Sequence, residues 1–369
     1  MARNPSLDLD LLRATLDEVR APWRMASTPM TELVEDEREW RLGVPPPPAS
    51  ARPLPAASVA AATSDELPAR FDVRDVDGVD YDTPVKDQGA CGSCVAFGTA
   101  AAMEVTYRRT GLTTEPLDLS EAHLFYCHAR DEGRTCGTGW YPERALVAAR
   151  SKGVTTEDKY PYVAGDQDGS GLAPDWQDSL ATVTDFEMVT GDPLAMKRAI
   201  VERGAVVACL HVYQDFFSYG GGVYTHVTGE HAGGHCVLLV GYDDDEGCWL
   251  GRNSWGTGWG EGGYFRIAYG ECLIEGYESA AVTDVVLSGP APEPTEPPEW
   301  PGRYLRYPPL TVGDDVRQWQ ERMLERGHDL DADGQYGPAS RDACRLLQEE
   351  HGLWADGVVG PLTWQATFS

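Results

Sequence analysis

Basic side chains and long apolar stretches are both scarce in this sequence. Lys and Arg total 30 against 59 Asp and Glu, which gives a formal net charge of -29. Such a surface repels phosphate backbones and anionic lipid, so nucleic-acid binding is not expected. No window holds the roughly 18 uninterrupted apolar residues that a membrane-spanning helix needs, so a membrane span is not expected either.

The first residues also lack the pattern of a secretory signal. Asp8 and Asp10 interrupt the leucine-rich start, where a signal has a basic start and an unbroken apolar core. Nine cysteines, an odd number spread along the chain, exclude a dense disulfide framework. Export by a secretory signal is therefore not expected, and the redox compartment stays open.

Two proline-rich tracts divide the chain. They occupy residues 46–57 and 289–302, where proline favours extended spacers over helix or sheet. We therefore predict an N-terminal segment with its linker at residues 1–65, a central domain at residues 66–288 and a C-terminal domain at residues 303–369.

The central segment predicts an α+β fold. An alanine-rich, helix-forming stretch follows Cys94, and glycine-bounded apolar runs typical of strands come later, at residues 204–212 and 236–241. The C-terminal segment repeats an Asp-Gly…Gly-Pro pattern, at residues 333–338 and 356–361, each time before a helix-like stretch. This repeat predicts a small three-helix module.

Cys94 has the sequence setting of an activated thiol. Gly89 and Gly92 permit a tight turn before it, and the stretch that follows favours a helix, so Cys94 is expected near a helix N-terminus. Unpaired N–H groups there, together with an imidazolium, lower the pKa of a thiol and make it nucleophilic at neutral pH. Cys94 is thus the candidate nucleophile and needs a histidine.

His235 is the best-placed partner among the eight histidines. Gly233 and Gly234 precede it and an apolar strand follows, which fixes the ring at the edge of a strand. His226 and His231 are weaker alternatives. His231 and His235 are four residues apart, which suits metal ligands on a helix, but the glycines between them oppose a helix. No metal site and no other cofactor is expected.

Asn253 and Gln88 complete the candidate catalytic set. An imidazole that works between a thiolate and a leaving group must keep one tautomer, which the amide of Asn253 enforces without charge. Trp255 is placed to shield that hydrogen bond from water. Gln88, six residues before Cys94, can aim its side-chain N–H at the developing oxyanion, beside the backbone N–H of Cys94.

Together these residues resemble the papain family of cysteine proteases, over about residues 67–287. The motifs that carry the likeness are Gln88 to Phe97, Leu119-Ser120-Glu121, Tyr160-Pro161-Tyr162, Gly234-His235, and Asn253 to Glu261. The order, with His and Asn far downstream of the nucleophile, is that of the family. The resemblance implies a two-lobed fold, with a helical lobe, an antiparallel β-barrel-like lobe and peptide bound in the cleft between them.

The resemblance also implies further site residues. It predicts a disulfide between Cys91 and Cys136. The positions that match substrate-binding residues are Gly139, Trp140, Gly234 and Trp255. One departure from the family pattern is Val95, where an aromatic residue normally follows the nucleophile.

The resemblance makes residues 1–65 an inhibitory prosegment, laid through the cleft and removed on activation. Residues 311–367 resemble the small peptidoglycan-binding module of bacterial wall hydrolases. That second likeness rests on Val316 to Gln320, the paired Asp-Gly and Gly-Pro motifs, and Leu346-Leu347-Gln348. It implies that residues 303–369 bind peptidoglycan.

These features predict a monomeric cysteine endopeptidase that is made as a zymogen. It would cleave polypeptides through a Cys-His-Asn thiolate–imidazolium mechanism with an acyl-enzyme intermediate, outside the cell or at a bacterial envelope. One alternative keeps the nucleophile but acts on peptidoglycan stem peptides or transfers an acyl group. Another is a catalytically silent binding or scaffold protein that kept the fold.

Overall fold

The computed structural model describes residues 7–64, 67–288, 300–326, 328, 330–351 and 353–368. The chain divides into two units, Met1–Pro290 and Ala291–Ser369, each of which is described by itself. Most of the predicted linker at residues 289–302 lies outside the described residues, as does residue 65 at the end of the predicted prosegment. The domain boundaries stay predictions.

The N-terminal segment is a series of short elements. They are α1 (Leu9–Val19), β1 (Trp23–Met25), a 3₁₀ turn (Pro29–Glu32), α2 (Glu35–Glu39) and α3 (Ala56–Ala60). Asp8 caps α1 by accepting a hydrogen bond from the Leu11 N–H at 2.9 Å. Leu12 and Leu16 are buried, in a hydrophobic cluster that includes Trp23. Because helices this short are marginal alone, the segment depends on the domain it packs against.

The helical lobe is built around one buried helix. Its elements are α4 (Cys94–Thr110), a π-helical stretch (His123–Ala129) and α5 (Pro142–Lys152), and α6 (Pro193–Arg203) follows later in the chain. Residues 94–106 of α4 are all buried, which its alanines and glycine permit. A Cβ added to Gly98 would lie 3.0 Å from Cys236 Sγ, so the glycine lets α4 approach the sheet closely.

A ten-stranded sheet forms the other lobe. Its strands besides β1 are β2 (Arg70–Asp72), β3 (Val154–Thr155), β4 (Leu180–Met188), β5 (Val206–Tyr213), β6 (Tyr219–Tyr224), β7 (His231–Asp243), β8 (Cys248–Arg252), β9 (Tyr264–Ala268) and β10 (Ser279–Ser288). The order is β1-β6-β9-β8-β7-β5-β10-β4-β3, and β2 pairs with β7.

The sheet differs from the predicted antiparallel, barrel-like lobe in two details. The pairing of β6 with β9 is parallel, while the other strand pairs are antiparallel. Over the residues that the structure describes, β1 and β3 are opposite edges, so the sheet does not close into a barrel. One edge strand, β1, comes from the N-terminal segment, which therefore extends the sheet of the central domain.

The C-terminal unit has the predicted three helices. They are α7 (Asp314–Glu325), α8 (Pro338–Glu350) and α9 (Pro361–Phe368), with a small antiparallel pair, β11 (Thr311–Val312) and β12 (Gln335–Tyr336). In the part of the chain that the structure describes, no helix is both long and apolar enough to cross a membrane.

A buried glutamine organises each copy of the repeat in this unit. Gln320 Oε1 accepts from the Gly334 N–H at 2.8 Å, and its Nε2 donates to Asp333 Oδ1 at 3.1 Å. In the second copy, Gln348 holds the turn at residues 356–357 in the same way, at 2.9 Å for both bonds. Each glutamine thus fixes the Asp-Gly turn that precedes the next helix.

Candidate active site

Cys94 is the first residue of α4, at the place where the helix packs against the sheet. No side chain caps α4, so its first backbone N–H groups stay available near the thiol. The thiol lies against the backbone of Cys236 in β7 and of Gly43 in the N-terminal segment. A disulfide joins Cys91 to Cys136 and ties the turn before α4 to the helical lobe.

His235 and Asn253 come together at one end of two paired strands. His235 lies in β7, and Asn253 directly follows β8, which pairs with β7 in antiparallel register. The His235 Nε2 and the Asn253 Oδ1 are 2.8 Å apart. Since that oxygen can only accept, Nε2 carries the proton. His235 Nδ1 is buried and makes no hydrogen bond of good geometry among the described residues, although the Arg41 backbone lies against the ring and raises its pKa.

The weaker histidine candidates have other neighbours. His226 stacks on Tyr213 with ring centroids 3.8 Å apart, and its Nδ1 lies 3.3 Å from Asp215 Oδ1. His231 packs edge-on against His211 at 4.5 Å. The histidine that is hydrogen-bonded to Asn253 is His235.

Trp255 covers the His235 ring. The two rings stack with centroids 4.7 Å apart, and Trp255 is only 1% exposed. Phe217 stacks on Trp255 at 5.3 Å, so the tryptophan belongs to the aromatic core of the sheet. This position shields the His235–Asn253 hydrogen bond from water, while the predicted contact of Trp255 with substrate stays a prediction.

Gln88 is fixed at both ends of its side-chain amide. Its Oε1 accepts from Ser254 Oγ at 2.6 Å, next to Asn253 in the chain. Its Nε2 donates to the carbonyl oxygens of Cys91 at 2.7 Å and Arg41 at 2.9 Å. The donor that sequence analysis assigned to an oxyanion therefore holds a carbonyl of the N-terminal segment.

Residues 41–45 of the N-terminal segment pass between the two lobes. On the helical side, the Trp140 N–H donates to the Gly43 carbonyl at 2.9 Å. On the sheet side, the Val44 N–H donates to the Gly234 carbonyl at 3.1 Å. Three of the residues predicted to contact substrate, namely Gly139, Trp140 and Gly234, thus lie against this stretch. Nothing in the composition of residues 41–45 marks them in the sequence as part of a site.

Gly43 is packed tightly against the backbone of its neighbours on this path. A Cβ added to it would lie 1.9 Å from the Gly92 carbonyl oxygen. A Cβ added to Gly139 would likewise lie 1.9 Å from the Gly43 oxygen. Real Cβ atoms do not approach a backbone so closely, so the fit depends on glycine at both positions.

The electrostatics of the covered site favour neutral side chains. Burial raises the pKa of the Cys94 thiol, and the neighbouring Cys236 thiol adds to the rise. Burial lowers the pKa of His235 to about 4, against the hydrogen bond to Asn253, which raises it. Both shifts oppose a thiolate–imidazolium pair. Backbone hydrogen bonds between Gly43 and the thiol and between Arg41 and His235 act in the opposite direction, but burial is the larger effect, so the neutral, less nucleophilic form is favoured.

A buried charged network supports the loops that carry these residues. Lys86 Nζ lies 2.8 Å from Glu121 Oε1 and 3.8 Å from Glu104 Oε1 on α4. Arg252, the residue before Asn253, pairs with Asp82 in the loop that leads to Gln88. Burial raises the pKa of Glu121 to about 8, against the nearby Lys86. The sequence does not reveal this network, because charged residues are usually solvated and their spacing gives no signal.

A thiol at the start of a buried helix, and an imidazole bonded to an amide on the sheet that this helix packs against, are the features of a cysteine peptidase. The chain belongs to the papain family: residues 67–282 match the model described as "Papain family cysteine protease". Residues 312–366 match the model described as "Putative peptidoglycan binding domain".

Named relatives agree with this assignment. "Cathepsin B-like CP2" of Giardia intestinalis is 35% identical over 225 residues, which cover 57% of this chain and 73% of that protein. "Pro-cathepsin H" of Mus musculus is 35% identical over 196 residues, which cover 51% of this chain and 57% of that protein. These relatives are eukaryotic and give no support to a bacterial source.

Solved structures confirm the predicted fold class. "proCathepsin B S9 from Trypanosoma congolense" matches with a TM-score of 0.64 and 24% identity, covering 77% of this chain and 99% of that chain. A digestive procathepsin L 3 of Tenebrio molitor matches with a TM-score of 0.58 and 24% identity, covering 74% and 86%. The papain-like two-lobed fold predicted from sequence is therefore confirmed.

Asn253→Ala is expected to lower activity and to move its pH dependence. The hydrogen bond to Asn253 raises the pKa of His235, so its loss makes the imidazolium release its proton more easily. In a fragment of residues 67–369, kcat/KM should fall roughly 10-fold to 10²-fold, as for the loss of a charge-assisted hydrogen bond. The alkaline limb of the pH profile should move to lower pH. A merely misfolded variant would lose titratable active sites without moving that limb, and an unmoved limb with full site occupancy would contradict the role of Asn253.

Proposed function

We propose that this chain is the zymogen of an endopeptidase in which Cys94, His235 and Asn253 act together. The Cys94 thiolate attacks the peptide carbonyl carbon, and protonated His235 gives its proton to the departing amine. The resulting acyl-enzyme is hydrolysed by water, from which His235 takes a proton. Asn253 keeps the imidazole in one orientation, and Gln88 with the Cys94 backbone N–H stabilises the oxyanion.

One observation carries this proposal: an extended stretch of the chain's own backbone is bound at the predicted site. The Arg41, Gly43 and Val44 backbones hydrogen-bond Gln88, Trp140 and Gly234, respectively. These are contacts to main-chain groups, which any peptide can make. A groove that holds one peptide backbone in this way is suited to bind polypeptide substrates.

The way the chain runs through the groove at residues 41–45 supports cleavage in the interior of a polypeptide. The segment continues on both sides of residues 41–45, with α2 before them and α3 after them. A groove that accommodates chain in both directions needs no free terminus in its ligand. This supports an endopeptidase rather than an enzyme that trims ends.

We propose that the N-terminal segment is the inhibitor of the zymogen. It occupies the Gln88 donor, covers the Cys94 thiol and keeps the pair neutral by excluding water. A second attachment lies away from the site: buried Lys197 donates to the carbonyls of Val59 and Ala62, at 3.2 Å each, at the end of α3. Removing the segment would therefore free the groove. It would also let water reach Cys94 and His235, which favours their charged forms.

We propose further that residues 303–369 hold the enzyme at a peptidoglycan-containing surface, outside the cell or at the envelope. The match of residues 312–366 to a peptidoglycan-binding model supports this. That match also favours a second candidate function, in which the same nucleophile cuts or transfers peptidoglycan stem peptides. Digesting purified cell wall beside casein, with the fragments identified by mass spectrometry, decides between the two.

Cys94→Ala should abolish both hydrolysis and covalent labelling. Alanine leaves no nucleophile, so a fragment of residues 67–369 should neither digest casein nor gain the mass of an epoxide inhibitor. Cys127→Ala is the matched control, because this thiol is half-buried in the helical lobe and more accessible than Cys94. It should keep both activities. An unreactive Cys94 in the unsubstituted fragment would instead favour a catalytically silent scaffold.

Gly43→Ala should activate the intact chain. Its methyl group would overlap the Gly92 carbonyl, and such overpacking weakens a contact by about 1–3 kcal/mol, or roughly 5-fold to 10²-fold in the open fraction. The initial rate on a fluorogenic peptide, read before the chain processes itself, should rise accordingly. Gly137→Ala, where a Cβ meets only Thr135 Oγ1 at 3.9 Å, should stay latent. Equal latency of both variants would contradict inhibition through residues 41–45.

Acid should loosen the segment. The pKa of His235 is lowered to about 4 in the covered site, so the ring binds a proton more readily once the site opens. The covered form is then fully stable above the ordinary histidine pKa of about 6.5 and weakens as the pH falls from there to about 4. In the Cys94→Ser chain, the backbone amides of residues 41–44, corrected for intrinsic exchange rates, should be less protected from hydrogen exchange at pH ~4.5 than at pH ~7.5. Equal protection would argue against this linkage, and α4 serves as the internal control.

A further inference from the structure

The C-terminal unit contains an open cavity of about 200 Å³ between the end of α8 and the start of α9. Apolar side chains form its walls, chiefly Trp354, Leu353 and Leu362, with the Tyr304 ring at one side. Trp354 is 86% exposed, the highest value of any large apolar side chain among the described residues. Leu362 is 67% exposed. An indole and a leucine left in water beside a cavity are typical of a ligand site.

The fold of the module does not require these two side chains. Its two copies align through Gln320 with Gln348 and through the Asp-Gly turns. In the first copy the positions of Trp354 and Leu362 hold Asp331 and Ala339, both exposed. That copy forms the same glutamine-bound turn without them. The indole and the isobutyl group are therefore additions to the second copy, made where its cavity lies.

A carboxylate completes the cavity. Asp356 lines it, and its Oδ1 accepts from Gln348 Nε2 and from the Val358 N–H, at 2.9 Å each. No hydrogen bond to Oδ2 exists within the described residues, and the side chain is exposed. The bonds to Oδ1 hold the group in place, so Oδ2 is a positioned acceptor beside an aromatic face.

We propose that this cavity binds one N-acetylated hexosamine ring of the peptidoglycan glycan strand. The apolar face of the sugar stacks on Trp354, the N-acetyl methyl group fits between Leu353 and Leu362, and ring hydroxyls donate to Asp356 Oδ2. This inference rests on the proposed tether and names its ligand and site.

The charge of the cavity favours the glycan over the peptide part of peptidoglycan. Asp356 is the one charged side chain among the residues that line the cavity. Stem peptides end in carboxylates, which an unpaired Asp repels, whereas sugar hydroxyls are neutral donors. A flat, exposed indole also matches the apolar face of a pyranose better than an extended backbone, which needs backbone partners.

Binding of a soluble glycan probe tests the proposal. The full chain with Cys94→Ala, which prevents self-cleavage, is titrated with N,N′,N″-triacetylchitotriose, with a peptidoglycan stem tetrapeptide and with purified sacculi. Saturation-transfer NMR should show contact to the N-acetyl methyl and ring protons of the trisaccharide. Trp354→Ala should weaken binding of the trisaccharide about 5-fold to 10-fold, as for loss of an aromatic contact. Asp356→Asn, which keeps Oδ1, should weaken it as well.

Leu346→Ala is the matched control, because Leu346 is 55% exposed on α8 and does not line the cavity. It should bind like the unsubstituted chain. Retained trisaccharide binding by Trp354→Ala, or binding of the tetrapeptide but not the trisaccharide, would overturn the proposed site while sacculus binding keeps the tether intact. Absence of binding to sacculi would overturn the tether itself and the site with it.

Discussion

A buried network of charges holds together the parts from which the active site is assembled. Lys86 links the loop before Cys94 to Glu121 and to Glu104 on α4, and Arg252 links the strand before Asn253 to Asp82. Charges taken out of water destabilise a fold unless each finds a partner. A displacement of either lobe would separate these pairs and leave buried charges without partners. The network therefore keeps the helical lobe and the sheet in one relative position. Cys94 and His235 belong to different lobes, so their alignment depends on this network.

The removal of water also affects the charges of Cys94 and His235, which residues 41–45 cover. An ion pair between a thiol and an imidazole is favourable only where solvent or dipoles support the charges. Residues 41–45 cover the site while the hydrogen bond between His235 and Asn253 is formed at 2.8 Å. Beneath the segment the Gln88 amide is bonded to the Arg41 carbonyl, and burial favours the neutral forms of Cys94 and His235.

Local sequence patterns predicted the papain-like fold and the candidate residues around Cys94, His235 and Asn253, because each lies in a short motif whose glycines and flanking strand or helix define its setting. The assignment of chemical roles to these residues stays a prediction. The path of the covering segment could not be predicted, since it depends on Gly43 fitting against Gly92 and Gly139, three residues far apart in the chain. The openness of the sheet was missed for a similar reason: closure is decided by which strands become edges, and one edge, β1, belongs to the segment.

The duplicated glutamine in the C-terminal unit has a consequence for how such a module can change over time. Gln320 and Gln348 each secure their own turn with buried bonds, so folding information is stored inside each copy. The exposed positions of the turns are therefore not needed to hold the fold. Substitutions there can alter what the surface recognises at little cost in stability, and one copy can diverge while its twin preserves the scaffold. A duplication of this kind separates the evolution of recognition from the evolution of the fold.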